Sequence, residues 1–328
     1  MTGKAACRLF FRKSAYCAVF LMLALCLLCS GGCAQRELCY DHSHASPVFI
    51  EFDWSMAPDA APATMVVWFF SETSEECYRF ELSNGGIASR SQFDSHIKVR
   101  PGTYRVLCHN GSTDNNSEEG DTFGEYRITT YDAGILSPMN RSDKAPLPVG
   151  AEAQAVKASP STVYADALDR HVIIESAADS ETHIRFVPVE VTAAYDIVIT
   201  GVENLIPGTD VSAVLTGMAE AWNPANYRPA GADVTIPFAL DQDGPDSLRG
   251  SLLTFGDNAP HDVRHILRVY ASYNYYDFDV TDQIHNAPDS RHVEIQLHGL
   301  KLPAPEQGGG MSPGVEGWEN AENIVITM

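Results

Sequence analysis

Arg100-Pro101-Gly102-Thr103-Tyr104-Arg105-Val106-Leu107-Cys108-His109-Asn110 is the stretch on which the fold turns. Pro101-Gly102 makes a corner, because proline presets φ and glycine takes up the sharp change of direction. Beyond it Tyr104, Val106 and Cys108 recur with period two, which on a strand buries one face. His96-Ile97-Lys98-Val99 leads into the corner. Upstream, Cys77-Tyr78-Arg79-Phe80-Glu81-Leu82 alternates in the same way and closes at Asn84-Gly85-Gly86, a turn signal. Val48-Phe49-Ile50-Glu51-Phe52-Asp53-Trp54 and Met65-Val66-Val67-Trp68-Phe69-Phe70 are further β-rich runs, bounded by Pro and Asp clusters. Short strands at this spacing, without a convincing helical period anywhere, predict an all-β chain of antiparallel β-sandwiches.

Downstream, residues 111–124 turn polar and acidic and read as a solvated loop, and residues 134–160, richer in Pro and Ala, read as an irregular excursion. Strand character returns at Thr162–Tyr164 and His171–Glu175, and Ala177-Ala178-Asp179-Ser180 breaks it. A second set follows at 182–189, 194–200, 211–219, 251–255, 266–273, 275–280 and 292–297. The length suits two domains better than one. The expected division is an N-terminal sandwich over 47–178 and a C-terminal sandwich over 179–328.

The N-terminus carries an address. Lys4, Arg8, Arg12 and Lys13 precede a charge-free apolar run to Leu28, and Ser30-Gly31-Gly32-Cys33 follows. A basic head, an apolar stretch too short for a comfortable span and small residues at the cut predict an export signal over 1–32. Cys33, directly after two glycines, stands where a bacterial lipoprotein signal is cut and the thiol takes a diacylglycerol. Residues 33–46 then link lipid to domain. Removing 1–32 leaves 18 basic against 43 acidic side chains, so the formal charge moves from −21 to −25. Such a surface repels phosphate backbones, which argues against a nucleic-acid partner. Past Cys33 only Cys39, Cys77 and Cys108 remain, an odd number that allows one disulfide at most. Cys77 and Cys108 either pair across a sandwich or stay small free thiols; the sequence leaves both open.

With these segments in view, the chain resembles a group of Bacteroidales lipoproteins related to fimbrial anchor and fimbrillin-like subunits. The resemblance rests on the lipoprotein start, Arg36-Glu37-Leu38-Cys39-Tyr40-Asp41-His42, Phe52-Asp53-Trp54, the 101–107 segment followed by Asn110, and Val214–Ala219 with Trp222. It extends through Tyr275–Ile284 and the tail from Gly308 through Trp318 to Ile324-Val325-Ile326, so it covers most of the mature chain. It implies two transthyretin-like sandwiches, a lipid anchor in the outer membrane facing the cell surface, and fimbrial or pilin-like subunits as partners. Those subunits would be joined by strand addition, in which an open sheet edge offers N–H and C=O groups to a foreign strand. Two segments qualify as the exchanged or edge strand: Val48–Phe52, and Ile324, Val325 and Ile326 after a Gly-rich stretch. The C-terminal one is the stronger candidate.

Other constellations point elsewhere. Asp41, His42 and His44 place two imidazoles on one strand face, a pattern able to hold a transition metal, although an exposed polar linker explains it as well. Asp114–Asp121 and Asp241–Asp246 bring oxygens together, but the second has its glycine two residues early for a calcium loop and reads as a turn. Asp53 reads as a turn cap rather than half of a carboxylate pair. Asp246-Ser247-Leu248 fits an O-glycosylation acceptor pattern of such bacteria. No Gly-x-Ser-x-Gly, His-Glu-x-x-His or phosphate-binding glycine loop occurs, so neither an enzyme nor a cofactor is expected. The alternative function is surface glycan binding, with Trp222, beside Asn223-Pro224, the most loop-like aromatic for stacking on a sugar.

Overall fold

The computed structural model describes residues 45–84, 95–111, 113, 115–142, 144–176, 181–258, 263–304 and, for the backbone alone, 323–326. The export signal, Cys33, Cys39, Asp41, His42 and His44 lie outside these. Among the described residues no helix is long and apolar enough to cross a membrane.

The first sandwich grows from the corner at Pro101-Gly102. β5 (Gly102–Asn110) pairs antiparallel with β2 (Thr64–Ser71), which pairs in turn with β3 (Cys77–Ser83). On its other side β5 holds β9 (Tyr164–Ala167) and β10 (Val172–Ile174), and β12 (Val189–Glu190) extends β9. Facing this sheet are three strands in the order β11 (Thr182–Phe186), β1 (Ser46–Phe52), β4 (His96–Val99). The period-two face holds: Tyr104, Val106 and Cys108 pack with Val67, Phe69 and Ile50 in one core. β1 is central, parallel to β11 and antiparallel to β4. β11 thus enters this sheet from beyond residue 178.

In the second sandwich four strands, in the order β16 (Asp241–Gln242), β17 (Ser247–Thr254), β13 (Ala193–Thr200), β20 (His292–His298), face a larger sheet. The larger sheet runs β21 (Asn323–Ile326), β19 (Asn274–Asp279), β18 (Ile266–Ala271), β14 (Val211–Asn223), β15 (Arg228–Ala239), β8 (Ala155–Val156). β7 (Arg127–Thr130) joins the far end of β14, and β6 (Asn116–Glu119) pairs with β7. Tyr195, Ile197, Leu215, Ile236, Phe278 and Ile295 lie in the core between the sheets. A short helix, α1 (Thr281–His285), follows β19.

The structure adds to the sequence reading in four places. β6 lies inside the expected loop: its residues are polar because they serve as acceptors, Asn116 Oδ1 for Ser161 N–H and Glu118 for Trp68 Nε1 and Arg79. β15 escapes a pattern search because Pro229, Gly231 and Pro237 interrupt it; proline is tolerated on a strand that, past β8, is outermost. Four ladders, β1–β11, β13–β20, β15–β8 and β19–β21, are parallel within otherwise antiparallel sheets. Cys77 and Cys108 are both free, one exposed and one buried, on strands separated by β2.

Candidate functional site

β18 and β19 form a hairpin closed at Ser272-Tyr273, where Ser272 takes φ +54°. On the open side of β19 lies β21, parallel, with Tyr275 opposite Asn323, Tyr276 opposite Ile324, Asp277 opposite Val325 and Phe278 opposite Ile326. Among the described residues β21 ends the sheet and has β19 as its one neighbour in the strand order. The two candidate edge strands therefore sit differently: β1 has a neighbour on each side, β11 along Val48–Phe52 and β4 along Ser46–Phe49, whereas Ile324–Ile326 lies at a margin among the described residues. Behind the edge, Arg268 is almost fully buried and makes paired bonds to Asp277 at 2.5 and 2.6 Å. Its guanidinium also lies 4.0 Å from the centre of the Tyr275 ring.

Where β19 passes into α1 the chain is tightly knitted. Thr281 N–H donates to Asp279 Oδ1 at 3.1 Å and Arg264 pairs with Asp279 at 2.8 Å. Burial opposes ionisation of Asp279, but the bonds from Thr281 and Arg264 outweigh it and the carboxyl pKa is lowered. His265 N–H donates to Thr281 Oγ1 at 2.9 Å, and Val280 N–H to His265 O at 3.0 Å.

Next to this junction Asp257, His265 and His285 converge. The two Nε2 atoms are 3.1 Å apart, and Asp257 Oδ2 stands 3.7 Å from that of His265 and 3.6 Å from that of His285. Among the described residues this is where His, Cys, Asp and Glu side chains gather closely enough to share an ion. The sequence offered no signal for it. The two histidines are twenty positions apart, their carboxylate lies eight before the first, and only the folded sheet brings them together.

Asp257 also lines an open cleft of about 760 Å³ with Tyr195, Trp222, Arg228 and Arg291. Burial, and then the Asp257 carboxylate, raise the pKa of Tyr195. Trp222 belongs to the end of β14 rather than to a loop, because Ile128 of β7 extends the ladder to it. It is 7% exposed and meets Tyr227 edge-on at 76°. That is not a coplanar, exposed stacking platform. Asp53 acts as the expected cap, accepting from Ser55 N–H at 3.0 Å and pairing with Arg185 at 2.6 Å. Asp241–Asp246 makes the turn between β16 and β17, within which the Ser247 hydroxyl donates to the Asp243 carbonyl.

Comparison with curated protein sequences finds no match. Among solved structures, a candidate adhesin from Bacteroides ovatus ATCC 8483 superposes with a TM-score of 0.58 at 19% identity, over 84% of this chain and 99% of that one. A second candidate adhesin from Bacteroides ovatus gives 0.50 at 10% identity, over 81% and 90%. The fimbrial anchor protein Mfa2 from Porphyromonas gingivalis gives 0.49 at 12%, over 77% and 90%. At these identities the two adhesin structures share the fold. A family described as a domain of unknown function, DUF5119, matches residues 32–239. Since that match takes in well over half of the sequence, the chain belongs to the DUF5119 family.

Proposed function

We propose that this chain is a non-enzymatic lipoprotein of the cell envelope, held in the outer membrane through Cys33, that joins pilin-like subunits by β-strand addition at the outer edge of β19. Its mature part is organised as two sandwiches, 47–178 and 179–328, that lend strands to each other. The observation that supports the reading is the placement of β21. Four residues, paired among the described residues on one side only and in the parallel sense, cover a β19 edge whose N–H and C=O groups an incoming strand can satisfy equally well. Parallel pairing is slightly the weaker kind per residue, so an antiparallel strand that continues further along β19 would displace it. The adhesin descriptions of the two fold relatives are in keeping with an envelope role.

The experiment is a disulfide lock. With exposed Cys77 replaced by Ser, Tyr275→Cys and Asn323→Cys put two thiols on directly opposed residues, a spacing a disulfide spans. Lipidated protein drawn from envelopes should bring pilin-like subunits with it when the lock is reduced and lose them when it is oxidised. Cys33→Ser should release the protein from the membrane. Recovery of polysaccharide without any pilin-like subunit would overturn the reading in favour of glycan binding.

A further inference from the structure

We propose that Asp257, His265 and His285 form a binding site for one divalent transition-metal ion with the ligand preferences of Zn2+. The site is built from three separate segments, each fixed by the main chain. Asp257 forms a β-bridge with Met218, and Ala219 N–H donates to Gly256 O at 2.8 Å. His265 is clamped between Thr216 and the β19–α1 junction, and His285 ends α1.

The orientation of His265 is set by its other nitrogen. Its Nδ1 lies 3.0 Å from Thr216 O, which can only accept, so Nδ1 carries the proton and Nε2 is the bare, ligating atom. A ring N–H given to a backbone carbonyl is the usual support of a metal-bound imidazole. Thr216 can supply it because β14 bulges here. The register with β15 slips between Leu215 and Met218, and Gly217 takes φ +79°.

The distances suit an ion. A proton shared between the two imidazoles accounts for the 3.1 Å contact. A carboxylate oxygen stands 3.6 and 3.7 Å from the same two nitrogens, so all three ligand atoms face one point. A triangle with these sides has a centre about 2.0 Å from every corner, the length of Zn–N and Zn–O bonds. Two imidazoles and one carboxylate suit Zn2+, with Cu2+ and Ni2+ able to compete on affinity. Because Asp257 lines the open cleft, that cleft provides an entry path and room for a fourth ligand. Bound there, the ion would tie the exit of β17 to the start of β18 and to α1.

The test is calorimetric titration of Zn2+ into the purified, chelator-stripped protein, repeated with His285→Ala and Asp257→Asn. Wild type should bind one ion and melt at a higher temperature once loaded, and Co2+ in its place should show the visible absorption of a tetrahedral site. Each variant should lose at least about 10–100-fold in affinity, the range caused by disturbing even the supports of a ligand. Asp257→Asn keeps size and polarity, so it remains informative if His285→Ala is poorly folded. Failure of wild type to bind, or binding undiminished in both variants because other histidines take the ion, would overturn the proposal. Neither result bears on subunit capture at β19.

Discussion

Gly217 shows how one residue can hold several others in place. A Cβ there would come within 2.8 Å of both His265 Nδ1 and Val263 Cγ1, and the backbone is left-handed. Gly217→Ala is therefore expected to cost about 1–3 kcal/mol, read as a lower denaturation midpoint with an unchanged slope. It should also weaken Zn2+ binding, since the displaced ring is a proposed ligand. A second residue, His109, should give the protein a pH dependence. Burial lowers its pKa from 6.5 against the opposing pull of Glu118, and its Nε2 accepts the Tyr126 hydroxyl at 2.7 Å while Nδ1–H is given to Asn110 O. The unfolded chain takes up this proton near pH 6.5 and the folded chain only lower. The stability present above that pH is thus lost as pH falls toward the depressed folded value. Melting temperature should drop as pH falls below 6.5, and His109→Gln should flatten the onset of that drop. At this scale the sequence was readable only where chemistry is local. Asp53 caps a turn two residues away, whereas Asp257, His265 and His285 meet only once a bulge, a strand and a helix are assembled.

Among the elements, strands were legible either by alternation or by a continuous apolar run. β13 and β20 alternate between buried and open positions and were evident as strands; β20 reads exposed and buried residue by residue. β18 is buried at all six positions and β14 nearly throughout, because a second layer covers their outer face. That layer is the excursion at 134–160, whose Leu136 and Met139 pack on Val214 and Tyr270. The excursion is pinned through Pro146 O, which accepts from Arg268 Nη1 at 3.0 Å and from the Tyr270 hydroxyl at 2.7 Å. An arginine in the middle of a buried strand is thereby explained: it holds the cover down while neutralising Asp277 beside the β21 edge. Arg268→Met should cost about 3–5 kcal/mol, since it strands the Asp277 charge. Arg268→Met combined with Asp277→Leu should recover much of that loss. A double-mutant cycle in denaturant measures the coupling, and additive effects would show that the pair does not act as one unit.

On the scale of the whole molecule, the two sandwiches share a core rather than a linker. The outward face of the first sheet, with Phe70, Leu107 and Ala165, packs on Tyr126, Ile128, Trp222 and Phe255. β14 spans the joint, contributing Leu215 to the second core and Trp222 to this one, a strand of 13 residues and thus on the order of 40 Å long. Beside the joint, Glu118 of β6 accepts from Trp68 at 3.0 Å and from Arg79 at 2.9 Å, so the polar stretch that looked like a loop is a strap across it. A load passed from the first sandwich to β19 would therefore cross packed side chains and a continuous strand. The shared core also makes a thermodynamic commitment. Two domains on a flexible linker melt separately, whereas domains sharing a buried cluster unfold together. Scanning calorimetry of the wild type should show one transition. Leu107→Ala, at a fully buried position, should lower it by the equivalent of about 2–5 kcal/mol. Adding Ile128→Ala on the facing strand should split it into two, the first sandwich melting apart from the second. Two transitions in the unaltered protein would mean that the shared core does not couple the halves, and tension would then have to pass through the β14 backbone alone.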